Sequence, residues 1–120
     1  MKRLIGILLM VIFIAPSNAY AHTALVSSTP KNGAVLTKSP TTISLTFNEQ
    51  LIKLGGKNVS RISLVDRSER QIKLGKVAVS KSRISAPLNQ TLNTGSYTIK
   101  YRVVSADGHP VTGSIKFNIR

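Results

Sequence analysis

Apolar and polar residues alternate with a period of two over most of this chain, and that pattern restricts its fold more than any other feature. Ile43, Leu45 and Phe47 alternate with Ser44 and Thr46. Tyr97, Ile99, Tyr101 and Val103 alternate with Thr98, Lys100 and Arg102, and Ile115, Phe117 and Ile119 with Lys116 and Asn118. Successive side chains of an extended backbone point to opposite faces, so each segment reads as a strand with one buried and one solvated face. Weaker versions at Ile62 and Leu64, Ile72 and Leu74, Val77 and Val79, and Ile84 and Ala86 bring the count to about seven strands.

Turn residues fall between these segments at 30–33, 38–40, Gly55-Gly56, 66–68, Gly75, 93–95 and 107–110. Gly, Pro, Asn and Asp favour turns because they tolerate or pre-set the required backbone angles. No stretch sustains a period of 3.6, and Pro87-Leu88 allows one helical turn at most. Short strands at this spacing predict an all-β fold, a single small antiparallel β-sandwich or barrel of cupredoxin-like or immunoglobulin-like kind.

The first residues follow a different rule. Lys2 and Arg3 precede an apolar run over residues 4–15, then Pro16, Ser17, Asn18 and the small-x-small tripeptide Ala19-Tyr20-Ala21. This is the layout of a secretory signal peptide, with cleavage expected after Ala21. The run is shorter than the ~20 residues a membrane-spanning helix needs. The expected organisation is therefore a signal peptide at 1–21 and one exported domain at 22–120, not membrane-spanning after processing. A domain of this size buries roughly two thirds of its unfolded surface, enough to hold together without cross-links. The chain has no Cys, which excludes a disulfide scaffold or a thiolate site, and its two methionines, Met1 and Met10, both precede the expected cleavage point.

Charge is strongly one-sided, with 17 Lys and Arg against 4 Asp and Glu. The cations are dispersed, as expected of solvated strand faces and loops, and their field favours an anionic membrane surface or an acidic partner. No nucleic-acid binding is expected: Tyr97 and Tyr101 share their alternating face with Ile99 and Val103, which marks them as core rather than as a stacking platform.

The chain has only two histidines. Cleavage after Ala21 would make His22 the first residue, with a free amine and an imidazole that can close one chelate ring on a metal, the arrangement called a histidine brace. A bound metal can displace the proton from either nitrogen. The other, His109, lies two positions after Asp107. Extended backbone would turn the two side chains to one face, and Gly108 lets the chain bend between them. Three nitrogens and one oxygen suit tetragonal Cu(II), and soft ligands for Cu(I) are missing from residues 22–120. The alternative is an ordinary Asp-Gly turn with a surface histidine.

Two longer segments carry a family resemblance. The run from His22 through Ser28-Thr29-Pro30-Lys31-Asn32-Gly33 to Leu36, followed by Pro40 and then Leu45-Thr46-Phe47-Asn48-Glu49, resembles the opening of the CopC (PcoC-like) periplasmic copper-resistance proteins. The run from Tyr97 through Val103-Val104-Ser105-Ala106-Asp107-Gly108-His109, then Gly113 and Phe117, resembles the family's ending. The resemblance implies a periplasmic β-sandwich that binds one Cu(II) per chain through His22, His109 and Asp107. Glu49 matches a family glutamate beside the metal; otherwise it is an exposed carboxylate facing lysines. A methionine-rich Cu(I) site, present in some members, has no residues to form it here. Ala24 stands where members often have a second histidine, and Tyr101 where they have Trp.

The expected function is thus copper homeostasis or resistance by sequestering or delivering Cu(II), without catalysis, as a monomer, with an inner-membrane copper transport protein as partner implied by the family. Two other classes compete. A histidine-brace copper monooxygenase would need an open metal position, which Asp107 would fill, and a flat aromatic sugar-binding face, for which a chain without Trp is poorly equipped. A metal-free envelope interaction module would use the positive surface alone.

Overall fold

The computed structural model describes residues 22–120. The expected signal segment, residues 1–21 with its cleavage after Ala21, lies outside the described residues. Among the described residues there are eleven strands and no helix: β1 (Leu25–Thr29), β2 (Ala34–Leu36), β3 (Thr42–Phe47), β4 (Lys53–Leu54), β5 (Lys57–Asn58), β6 (Arg61–Asp66), β7 (Gln71–Ile72), β8 (Ala78–Ser80), β9 (Arg83–Pro87), β10 (Gly95–Val104) and β11 (Pro110–Ile119). Every segment expected from alternation is, or overlaps, a strand. The additional ones are β1, the three-residue β2, too short to show a pattern, and the β4–β5 hairpin, exposed on both faces.

Two sheets pack face to face. One has the order β1-β3-β9-β8, the other β2-β11-β10-β6-β7. Pairing is antiparallel with one exception: β2 runs parallel to β11, with Ala34 opposite Phe117 and Leu36 opposite Ile119. The chain leaves β1 in the first sheet, crosses through the turn before Gly33, and joins the edge of the second alongside β11. The Gly33 N–H donates to Lys116 O at 2.7 Å, which pins that entry.

The core lies between the sheets. Ile43, Leu45 and Ile84 from one sheet meet Leu64, Ile99, Val103, Ile115 and Phe117 from the other, all essentially inaccessible to water. Phe47 and Tyr101 meet edge to face with ring centroids 5.3 Å apart, and Tyr97 stacks on Phe117 at 5.6 Å. The Tyr97 hydroxyl, at the rim, donates to Asn93 O at 2.7 Å. Both tyrosines are thus turned into the sandwich, as their alternation requires.

One end of this sandwich gathers four connections. Asn48 N–H donates to Ala24 O, Phe47 N–H to Ser82 O, Leu51 N–H to Lys81 O and Ile52 N–H to Val104 O, all within 3.0 Å. Leu51 also bridges to Ser105. The start of the domain, the segment after β3 and the segment after β10 are thereby tied together.

Candidate metal centre

Phe47 is packed in the core at 2% exposure, so Asn48 and Glu49 emerge at the end of the sandwich directly behind it. Antiparallel pairing places Leu25 opposite Phe47, which carries residues 22–24 past Asn48. Asn48 takes hold of that stretch. Its Oδ1 accepts from Ala24 N–H at 2.7 Å and its Nδ2 donates to His22 O at 3.1 Å. With the backbone bond to Ala24 O at 2.9 Å, three hydrogen bonds fix the main chain immediately after His22.

Between them Thr23 turns inward and is 4% exposed. Its hydroxyl is hydrogen-bonded to the fully buried Ser105 hydroxyl and donates to Glu49 Oε2 at 3.3 Å. The Ser105 hydroxyl donates in turn to Asp107 Oδ1 at 3.1 Å. A hydroxyl has one proton to give. Once that of Ser105 goes to Asp107, the Thr23 proton is shared between Ser105 and Glu49. Two buried hydroxyls therefore link the carboxylates of Glu49 and Asp107. Glu49 faces the residue beside His22 rather than a lysine ammonium.

The 105–109 segment forms a turn, as the turn residues at 107–110 suggest, so it is the bend at Gly108 and not an extended backbone that relates Asp107 to His109. Gly108 adopts φ 79° and its N–H donates to Ser105 O at 2.9 Å. Asp107 Oδ1 accepts from His109 N–H at 2.9 Å, so carboxylate and imidazole are brought together by a side-chain cap on the turn. The Asp107 carboxyl is held below its ordinary range chiefly by that N–H; desolvation opposes the shift, and the Ser105 hydroxyl and then the charges of His109 and His22 add smaller lowering effects.

His109 Nδ1 lies 3.9 Å from Asp107 Oδ2, and its ring is 86% exposed. His22, Asp107, His109 and Glu49 thus belong to one end of the molecule. Among the described residues, however, no three His, Cys, Asp or Glu side chains are gathered closely enough to hold a metal ion as they stand. Imidazole nitrogen and carboxylate oxygen are donor types that suit Cu(II), and His22, His109 and Asp107 offer nothing soft for Cu(I).

Thr23, Asn48 and Ser105 were not singled out from the sequence. Asn48 had a weak signal, as a polar residue just past a buried Phe, but the two hydroxyl residues had none among the chain's many Ser and Thr.

The CopC domain family profile matches residues 25–120. Copper resistance protein C of Xanthomonas campestris pv. juglandis is 36% identical over 112 residues, covering 89% of this chain and 87% of that protein. Among solved structures, CopC from Methylosinus trichosporium OB3b superposes with a TM-score of 0.69 at 27% identity, over 82% of this chain and 93% of that one. PcoC from Escherichia coli, described as a methionine-rich copper resistance protein, gives 0.68 at 28% identity over 83% of this chain and all of that one. Sheet order, the Phe47-Asn48-Glu49 exit from β3 and the Ser105–His109 turn therefore stand within a known sequence and structural family, and the chain belongs to the CopC domain family of copper-resistance proteins.

Proposed function

We propose that this chain is exported to the periplasm, loses residues 1–21, and binds one Cu(II) through the amine and imidazole of His22, the imidazole of His109 and the carboxylate of Asp107. Copper is cargo, held for sequestration or for delivery to an inner-membrane copper transport protein, and the protein acts as a monomer without catalysis.

The observation that carries this reading is the Thr23–Ser105 contact, which joins residues 82 positions apart. It ties the stretch bearing His22 to the turn bearing Asp107 and His109. The Asn48 clamp holds the same stretch by its main chain and so uses none of the proposed donor atoms of His22. Glu49, through Thr23, steadies the arrangement without contributing a ligand. Protons compete for every donor, so affinity falls as pH drops.

The test is a Cu(II) titration of protein beginning at His22 beside a version with one glycine added before it. The addition moves the free amine out of the chelate and is expected to cause a large loss of affinity; equal affinities would remove the brace from the proposal. His109→Ala should weaken binding and alter the Cu(II) paramagnetic resonance spectrum. An unaltered spectrum would strike His109 from the ligands. The mass of the secreted protein reads the cleavage point directly.

A further inference from the structure

The β4–β5 hairpin presents a feature the metal site does not use. Lys53 pairs with Asn58 and Leu54 with Lys57 across a two-residue Gly55-Gly56 turn, with φ 58° and 75° at the glycines. Both values lie in the left-handed region, the combination that closes a tight hairpin. Leu54 is 61% exposed at the tip, flanked by exposed Lys53 and Lys57. A Cβ on either glycine would meet nothing within 4 Å, so the tip projects into open space.

The hairpin stands at the metal-site end. Ile52, beside Lys53, donates to Val104 O at 3.0 Å, and Ser60, at its other root, accepts from Val104 N–H at 3.0 Å. Val104 leads directly into Ser105. Close by in sequence, Arg61 lies directly opposite Arg102 across β6 and β10, and both are exposed. Like charges directly opposite destabilise a sheet. Among the described residues the only Lys or Arg ion pair is Lys100–Glu69, so none of these cations has a carboxylate partner.

We propose that the turn at 53–57 is an interfacial anchor that seats the metal-site end on an anionic phospholipid bilayer. Leu54 enters the headgroup layer, while Lys53, Lys57, Arg61 and Arg102 engage lipid phosphates. The chemistry matches in depth as well as charge. One exposed apolar side chain at the hairpin is accompanied by exposed cations whose stems can reach back to the phosphates, as a layered interface requires. An acidic protein would satisfy the cations but would need a pocket for Leu54. Cations also occupy the opposite end, among them Lys38 and Arg120. Charge alone therefore sets no orientation; of the exposed large apolar side chains, Val26, Val35 and Leu54, only Leu54 stands at a hairpin tip between two lysines, and it supplies the orientation.

The experiment is sedimentation of metal-free protein beginning at His22 with vesicles of phosphatidylcholine alone or mixed with phosphatidylglycerol. Binding is expected only to the mixed vesicles and should weaken with salt. Each cation near an anionic leaflet strengthens binding about fivefold, so Lys53→Glu with Lys57→Glu should lower it at least tenfold. Leu54→Ser should lower it about tenfold by removing the buried apolar side chain. Lys38→Glu with Arg120→Glu changes the net charge equally but lies at the far end, beyond a Debye length of about 10 Å, and should cost less than about threefold. Equal losses from the two charge variants, no loss from Leu54→Ser, or no binding to the mixed vesicles would each overturn the anchor. No copper is involved, so those outcomes leave the metal-binding proposal as it stands.

Discussion

Asn48 grips His22 through the main chain, so its amide can be removed without touching a donor atom. Groups that orient metal ligands typically contribute 10–100-fold in affinity. Asn48→Ala should weaken Cu(II) binding by about that factor in a competition titration with a chromophoric chelator. Asn48→Asp keeps an acceptor for Ala24 N–H but loses the donor to His22 O, and should fall between. Unchanged affinity in both would show that the clamp is dispensable. Asp107 gives a second residue-scale test. Its folded pKa is depressed, so its contribution to stability is complete above the ordinary carboxylate value and is lost as pH falls through the lower, folded one. Metal-free Asp107→Asn should be less stable than the native protein at neutral pH, and the gap should close below about pH 4. A gap that widened in acid, followed by urea denaturation, would reverse that assignment. His22, Asp107, His109 and Glu49 could be read from sequence because histidines and carboxylates are scarce here and chemically distinctive. Thr23 and Ser105 could not, because a hydroxyl becomes a link only when strand register brings it to another.

Among the elements, β10 fixes the second sheet, since it pairs along its whole length with β11 and with β6 over Arg102 to Tyr97. Ile99 lies midway along it and is fully buried. Ile99→Ala should therefore cost about 2–5 kcal/mol in urea denaturation of the metal-free protein, a large share of a small domain's stability. Gly113 is less obvious. It lies opposite Tyr101, whose ring covers it so closely that a Cβ would overlap the hydroxyl and ring carbon. That ring is itself held against Phe47 and cannot simply swing away. Gly113→Val should lose about 1–3 kcal/mol, although valine ordinarily favours strands; a stabilised variant would mean that the ring relocates freely. The strong strands were legible because burial on one face imposes alternation. The parallel β2–β11 pairing was not, because three residues carry too little pattern and pairing direction depends on where the chain crosses between sheets. The hairpin, exposed on both faces, has no hydrophobic signal beyond Leu54.

For the molecule as a whole, the proposed ligands come from the first residue of the domain and from a turn close to its last strand, so metal binding would join two distant stretches of chain. A ligand that binds only this folded arrangement stabilises the entire domain, by about 2.7 kcal/mol at a free concentration one hundred times its dissociation constant. A domain of this length gains about 4–8 °C in Tm per kcal/mol, so Cu(II) at that excess should raise Tm by about 10–20 °C. Adding a glycine before His22, or replacing His109 with Ala, should sharply reduce the shift without lowering the metal-free Tm, since the His109 ring lies outside the core at 86% exposure. If the shift persisted in both variants, copper would be binding elsewhere on the surface. If Tm did not move while titration still showed tight binding, the metal would be held by the terminal residue alone. The Asn48 clamp and the Thr23–Ser105 contact would then be parts of the scaffold rather than of the site.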